Sequence, residues 1–584
     1  MKIYFEERIG NPELFTGRKK ELAYFLNWAD RINRKISMSS AILSRRKTGK
    51  TAFMQRLYNI IFQKNGNVIP FYYEIRETDQ WLLDFSLEFF QTFAYQYIAF
   101  KTGKPEYFDY LQVADIEDTV SVAREEGFDY IAAQAKAVKR LVSEENAGLL
   151  WTIARKAPRM TAGHYNEYVV QMIDEFQFIN RFIFRDKACT NRISNLAGSY
   201  LGTAEYKNAP LLVSGSWVGW LARDLLRMLP GRFQFHYFEN MPDDETVEMI
   251  LKYSLLESIP VSEEIVPLMA GITEGNPFYI SSIFRSKYPE KDITTEEGLR
   301  KTLEFETLSG EGIIKGIWME YAGYAMDEAN GRNAKKIVLY LCKNRDREVA
   351  RSELTEVLSL EMSDSDLEKK MKILVRSDII NQGRSNSHYR GVSDNIFDKV
   401  FRGVYENEIE AFDPKEITDE YKVLFEKLGT EHRQVMGEYS SFKGKFAEFL
   451  IINHLRHRAY KNQSVFCNMM RNLPKDFRFA EYETVWSWSA SPADRRDIQI
   501  DIFARAGQDE YSLIGEVKNR KAKFSVKEAE NFVKKAGELV KLEDVPKAVL
   551  FVFSVSGFFK NTLEYMKKNE IAWTDDRRWM DKMI

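Results

Sequence analysis

The chain has 584 residues, 44% hydrophobic and 14% aromatic, so there is ample apolar area to bury and disorder is excluded as the main state. At roughly 150 residues per domain that length predicts about four domains rather than one module. The 84 Lys and Arg nearly cancel the 86 Asp and Glu, a formal net charge of -2, which excludes an overall polycationic field; any attraction to nucleic acid must come from a local patch.

Cys189, Cys342 and Cys467 are too far apart for a disulfide framework or a Cys-based zinc module, and they suit a reducing cytosol. Glu6 and Glu7 stand where a signal peptide needs an apolar core, and the apolar run 548–553 is too short to span a bilayer, so a cytoplasmic protein with no membrane partner is expected. There is no internal repeat or low-complexity tract, which removes solenoids and propellers.

Residues 37–75 read as strand, basic loop, amphipathic helix, turn and strand, a βαβ unit that implies a parallel sheet. From about 80 to 165 the text is helical and reads as an insertion between sheet strands. Two further strands, 168–174 and 209–216, are continuous apolar runs of the kind buried on both faces. A helical stretch from Pro242 to about 325 is broken at Gly275, Asn276 and Pro277. Residues 333–380 give three short amphipathic helices and 380–394 a polar hairpin, the order of a winged helix. A charged linker around 412–420 leads to a helix (441–459), a hairpin (496–519), a Lys/Glu-rich helix (525–541) and a strand (547–555), a fourth α/β unit. The predicted boundaries are 1–235, 236–325, 326–412 and 413–584.

Ser44, Arg45, Arg46, Lys47, Thr48, Gly49, Lys50 and Thr51 follow a strand and open a helix, the context that gives a GxxxxGK[ST] pattern its meaning. Backbone N–H groups and the helix N-terminus would hold phosphates, Lys50 would reach the β and γ oxygens, and the Thr51 hydroxyl would ligate Mg²⁺. Ser44 stands in place of the first Gly; if that position needs φ > 0, it carries about 1 kcal/mol of strain. The plainer alternative is a basic turn capping an ordinary helix. A second element favours phosphate: the strand 169–173 ends in Asp174 and Glu175, where an open parallel sheet places its ligands. Asp174 would hold Mg²⁺ and Glu175 would orient or deprotonate the attacking water.

With these motifs, residues 12–325 resemble the STAND class of P-loop ATPases, in particular archaeal and bacterial ATPases with a GRRRxGKT-type loop. Gly17, Arg18, Glu21 and Leu22 match that family's hhGRxxEL segment, which implies that Arg18 lies beside the nucleotide. Ser214-Gly215-Ser216 resembles its sensor, with Ser216 reading the γ-phosphate. Gly275-Asn276-Pro277 resembles the GxP signature of its helical lid (236–325), with Pro277 near the adenine. Pro230-Gly231-Arg232 puts Arg232 where the family has an arginine contacting phosphate in cis or across subunits. The resemblance implies ATP and Mg²⁺ as cofactors, a nucleotide-dependent homo-oligomer, and a regulatory protein partner.

In the last unit Asp501, Glu516 and Lys518 carry a second chemistry. A spacing of two puts Glu516 and Lys518 on one strand face, and a turn centred on Gln508 sets Asp501 across from Gly515 or Glu516. Two carboxylates and an ammonium suit phosphodiester hydrolysis: the acids ligate Mg²⁺, the metal lowers the pKa of its water, and Lys518 positions the nucleophile. Asp497 is a rival for Asp501, nearer the sheet edge. This arrangement resembles the PD-(D/E)xK nuclease superfamily, with a restriction-endonuclease-like fold and Glu448 as the helical acid that completes the metal site. Lys518, Arg520, Lys521 and Lys523, with Lys527, Lys534 and Lys535, would meet nucleic-acid phosphates, DNA above all. The plain alternative is a cross-strand ion-pair ladder.

His454 and His457 are expected as a helix surface pair, Trp486 and Trp488 as core packing, and the basic helix carrying Lys369, Lys372 and Arg376 either enters a DNA groove or makes contacts within the protein. The whole reads as an α/β protein: a P-loop parallel sheet with helical lid, winged helix and C-terminal nuclease-like unit. The expected function is an ATP-binding and hydrolysing switch controlling a Mg²⁺-dependent nuclease, in defence or mobile-element biology. The alternative is a nucleotide-gated regulatory or scaffold protein whose C-terminal unit binds without cutting.

Overall fold

In the computed structural model, which describes residues 5–110, 115–216, 221, 225, 231–329, 332–392, 394–409, 414–435, 440–490 and 498–580, seven strands build the first part of the chain. They are β1 (Ser39–Leu43), β2 (Val68–Glu74), β3 (Gln80–Trp81), β4 (Tyr168–Asp174), β5 (Ile183–Phe184), β6 (Leu211–Gly215) and β7 (Phe233–Tyr237). Five form a wholly parallel sheet in the order β2-β4-β6-β1-β7; β3 and β5 pair separately. β1 and β6 are buried at every residue, which explains their unbroken apolar runs, whereas on the edge strand β7 only Phe233 is buried, with Phe235 and His236 half-buried and Gln234 and Tyr237 exposed. β7 carries no apolar run to announce it, because Phe233, Gln234, Phe235, His236 and Tyr237 form a short half-polar stretch.

The other edge, β2, is covered. Helix Leu82–Thr102 of the insertion packs on it through Phe89 and Phe93 against Phe71. Its Gln96 side chain accepts from Tyr72 N at 2.7 Å and donates to Tyr72 O at 2.8 Å. One amide thus satisfies the donor and acceptor that the edge strand leaves open at Tyr72.

The chain divides into two units, Met1–Tyr253 with Met269–Phe425, and Ser254–Leu268 with Glu426–Ile584. In the first, Asn276 caps helix Pro277–Arg285 by accepting from Phe278 N at 2.9 Å, with Pro277 at the first helical position. In the stretch read as a winged helix, helices Arg332–Lys343, Arg351–Val357 and Asp364–Arg376 accompany β8 (Val349–Ala350), β9 (Ile380–Gln382) and β10 (His388–Gly391), an antiparallel sheet ordered β8-β10-β9. Lys369 pairs with Asp366 at 3.0 Å and Lys372 with Glu368 on the same helix.

The second unit holds a mixed sheet, β11 (Thr484–Ser489), β12 (Gln499–Arg505), β13 (Ser512–Lys518), β14 (Ala548–Ser554) and β15 (Ala572–Thr574), in that order; β11 to β13 are antiparallel and β13 to β15 parallel. Helix Val526–Leu542 supplies the crossover from β13 to β14, burying Ala529, Phe532, Ala536 and Leu539. Gly515 sits in close packing: a Cβ there would stand 3.0 Å from Phe551 Cδ1 and 3.1 Å from Ile502 Cβ, so those side chains would have to give way by a few tenths of an ångström. The two tryptophans lie half-buried on the outer strand β11, Trp486 under the Arg456 guanidinium and Trp488 donating to Glu543 at 2.7 Å. The expected His surface pair is not one: His454 is 1% exposed and packs near Phe466 and Trp579, because that helix face turns into the unit. Asp497 lies outside the described residues. Among those described, no helix is long and apolar enough to cross a membrane.

Candidate functional site

The loop leaves the C-terminal end of β1 and enters helix Lys50–Lys64 through Gly49, whose φ of 90° lies in the left-handed region. No side chain caps that helix, so its first N–H groups face outward as an anion site would require. The second left-handed residue of the loop is Lys47, not Ser44, so the strain expected at Ser44 is absent. Its hydroxyl instead accepts from Lys50 Nζ at 2.9 Å and also hydrogen-bonds Thr48 Oγ1 and Arg45 O. Lys50 Nζ donates further to Ser44 O at 3.2 Å and Arg45 O at 2.9 Å; burial lowers its pKa against the opposing fields of Glu175 and Asp174. Thr51 is half-buried in the first turn of this helix.

Strand order brings the acids to this loop. Asp174, fully buried at the end of β4, accepts from Tyr72 Oη at 3.1 Å, from Glu175 N at 2.9 Å and from Ser214 Oγ. The two hydroxyl donors come from the strands on either side and fix the carboxylate's direction. Glu175 has a φ of 52°, a strained backbone for a non-glycine. Its carboxylate accepts from Ser216 Oγ at 2.7 Å and from Gln177 Nε2; burial, then the Asp174 charge, raises its pKa. Glu74 ends β2 in register with Asp174, and burial and Asp174 push it up to about 7.

Pro277 stands over the loop, 3.6 Å from where a Cβ on Gly49 would be. Arg18 ties the loop to the segment after β7, donating to Thr48 O at 3.1 Å and Glu239 O at 2.6 Å. Arg45 pairs with Asp394 at 3.1 Å, and Asp394 also accepts from Tyr279 Oη at 2.9 Å; Arg46 pairs with Glu77 at 3.1 Å. A cavity of about 400 Å³ opens here, lined by Ser44, Arg45, Thr48, Phe238, Asn276 and Trp318 among others. Arg232 is not brought to the loop. It precedes β7, whose first residue is level with Ser39 while its last is level with Leu43, so in a parallel sheet Arg232 sits at the opposite end, ion-paired with Glu205 at 2.7 Å. Ser214, part of the expected sensor segment, serves Asp174 instead, and Tyr72, Glu74, Gln177 and Asp394 join the site without having been expected there. Of these only Glu74, an acid closing an apolar strand as Asp174 does, left a local signal.

In the second unit the register Ile502↔Gly515 sets Asp501 beside Glu516. Lys518 Nζ lies 2.6 Å from Glu516 Oε1 and 3.5 Å from Asp501 Oδ2, and Val517 N donates to Asp501 Oδ2 at 2.8 Å. Burial lowers the Lys518 pKa, but the two carboxylates outweigh it and the net shift is upward. Glu448, on helix Ser440–His457, is pushed up to about 9 by burial, then by Asp501. Glu516 is raised by burial, then by Asp501, and its Oε2 is buried with no hydrogen-bond partner. Among the described residues no three His, Cys, Asp or Glu side chains are grouped as a ready metal site, and the Lys518 ammonium lies between the Asp501 and Glu516 carboxylates. The orphaned Glu516 carboxylate oxygen is nonetheless the kind of atom that a divalent cation would satisfy.

No family model and no curated protein matches the chain. Solved structures similar to it include the Walker-type ATPase PABY2304 of Pyrococcus abyssi (14% identity, TM-score 0.43, covering 68% of this chain and 97% of that one). The Aeropyrum pernix ORC2 protein in ADPNP-ADP complexes shows 12% identity and a TM-score of 0.39 over 73% of this chain and 99% of that one. The Thermotoga maritima RuvB Holliday junction branch migration motor shows 12% and 0.30 over 68% and 97%. Likeness at this level carries no argument about activity, and the function rests on the site itself.

Proposed function

We propose that the first unit binds and hydrolyses ATP with Mg²⁺. The observation that carries this reading is one crevice: an uncapped helix N-terminus behind Gly49, with Asp174 and Glu175 closing a strand of the same sheet. The loop amides, Arg45, Arg46, Lys47 and Lys50 would hold the phosphates, and Thr51 and Asp174 the metal. Bound Mg²⁺ would neutralise phosphate charge. Glu175, its pKa already raised, takes the proton of the attacking water, while Ser216 and Gln177 aim its carboxylate. Pro277 and Arg18 frame the nucleotide end of the loop. The test is nucleotide binding and phosphate release: Lys50→Ala should lose binding, and Glu175→Gln should bind without turnover. Wild-type protein that neither binds nor hydrolyses ATP ends the reading.

A second reading concerns the other unit, and the unpaired Glu516 Oε2 amid Glu448, Asp501 and Lys518 supports it. We read this cluster as a Mg²⁺-dependent phosphodiesterase acting on nucleic acid, DNA foremost, with the winged-helix stretch and a nucleotide-dependent homo-oligomer as the means of control. Cleavage of single-stranded, double-stranded or supercoiled DNA or of RNA, with and without ATP and abolished by Asp501→Ala, is the expected result. Binding without cutting in every case would favour the regulatory or scaffold alternative.

A further inference from the structure

Residues 5–10 form a strap along the helix that opens at Lys50. Phe5 packs its ring against Tyr58, Tyr72 and Phe108. Asn59 brackets the Phe5 backbone, accepting from its N at 3.0 Å and donating to its O at 2.9 Å. Glu7, buried, takes Arg56 at 3.0 Å and Asn59 Nδ2 at 2.9 Å, and Arg8 N donates to Gln55 Oε1 at 2.8 Å. Gln55 lies four residues after Thr51, so the Arg8 backbone is pinned on the Thr51 face of the helix, one turn further along.

From that anchor the Arg8 side chain reaches Glu74 at 2.8 Å. Glu74 is level with Asp174 on the neighbouring strand, so the guanidinium stands at the acid end of the crevice. Its field also reaches Lys47 in the loop and Tyr72, the donor to Asp174. The backbone is tightly held, yet the side chain is 64% exposed, and an exposed ion pair contributes little to stability. A strap that only braced the helix would need Phe5 and Glu7 but no arginine at position 8. A guanidinium is also the cation best matched to phosphate oxygens, through paired charge-assisted hydrogen bonds.

We propose that Arg8 is a phosphate-contacting residue supplied in cis, exchanging Glu74 for the terminal phosphate of the bound triphosphate, so that the N-terminal strap forms part of the nucleotide site. This rests on the ATP reading of the first unit and adds a residue that discriminates triphosphate from diphosphate.

The experiment uses the full chain and compares equilibrium binding of ADP and AMP-PNP with Mg²⁺, together with kcat and KM for ATP, in wild type, Arg8→Ala, Arg8→Lys and Glu74→Gln. Arg8→Ala should weaken AMP-PNP by about tenfold or more, as loss of a charged hydrogen bond would, while ADP affinity stays within about twofold of wild type. It should lower kcat more than it raises KM, with Arg8→Lys intermediate. Glu74→Gln, which removes the ion-pair partner but leaves the arginine, should keep the preference for AMP-PNP. Equal affinities in Arg8→Ala and wild type overturn the proposal, as does an equal loss for both nucleotides or the same loss in Glu74→Gln, since either would make the ion pair merely structural. Wild-type protein binding neither nucleotide would sink the ATP reading as well, whereas normal wild-type binding with an unaffected Arg8→Ala would sink this proposal alone.

Discussion

Replacing Ser44 by glycine separates two accounts of the phosphate loop. If the position were strained, Ser44→Gly would relieve roughly 1 kcal/mol and stabilise the first unit. The structure sets the opposite sign. Ser44 is not in the left-handed region, and its hydroxyl holds Lys50 Nζ at 2.9 Å and bonds Thr48 Oγ1. A hydrogen bond from a charged donor contributes about 1.5–3 kcal/mol and a neutral one about 0.5–1.5. Lys50 keeps the Ser44 and Arg45 carbonyls, so the lower ends of these ranges apply, about 2 kcal/mol together. Glycine adds about 0.5–1 kcal/mol of backbone entropy, whereas Ser44→Ala removes the hydroxyl without that term. The expected order of urea midpoints for the first unit is therefore wild type, then Ser44→Ala at about 2 kcal/mol below it, then Ser44→Gly at about 2.5–3 kcal/mol below it. A Ser44→Gly protein as stable as wild type, or more so, would refute the argument.

Glu448 gives a pH signature. Its pKa rises from the ordinary carboxylate value to about 9 in the folded state, so between about 4.5 and 9 the folded protein binds more protons than the unfolded one, and stability of the second unit should fall as pH rises through that window. Glu448→Gln should flatten that decline and be the more stable protein at pH 8, and urea midpoints against pH that run parallel for the two would contradict this; adding Mg²⁺ should flatten the wild-type slope if the cluster holds the metal. Hydrolysis of ATP should fall with acidification at a pH above the ordinary carboxylate range, because burial raises Glu175 and the base must be ionised; a pH–rate profile checks it. Gln96→Leu should cost about 2 kcal/mol by leaving the Tyr72 N–H and C=O unsatisfied, read from the urea midpoint, while a change below about 0.5 kcal/mol would mean that the edge of β2 is satisfied otherwise.

What could be read along the chain was whatever depends on spacing alone. The loop from Ser44 to Thr51 announces itself because a strand, a Gly-Lys-Thr and a helix are contiguous, and Asp174 with Glu175 because the acids end an apolar run. Glu516 and Lys518 share a face because strands alternate with period two, and a hairpin carries Asp501 to them. Tertiary structure decided everything that depends on which strand ends are neighbours. The order β2-β4-β6-β1-β7 makes Tyr72 and Ser214 donors to Asp174, puts Glu74 and then Arg8 at the acid end, and carries Arg232 to the far end of the sheet. It also turned the substitution at Ser44 from a strained exception into a hydrogen-bonded part of the loop. A pattern of residues specifies local geometry, but parallel neighbours are joined through long crossovers, so their pairing leaves little trace in local spacing.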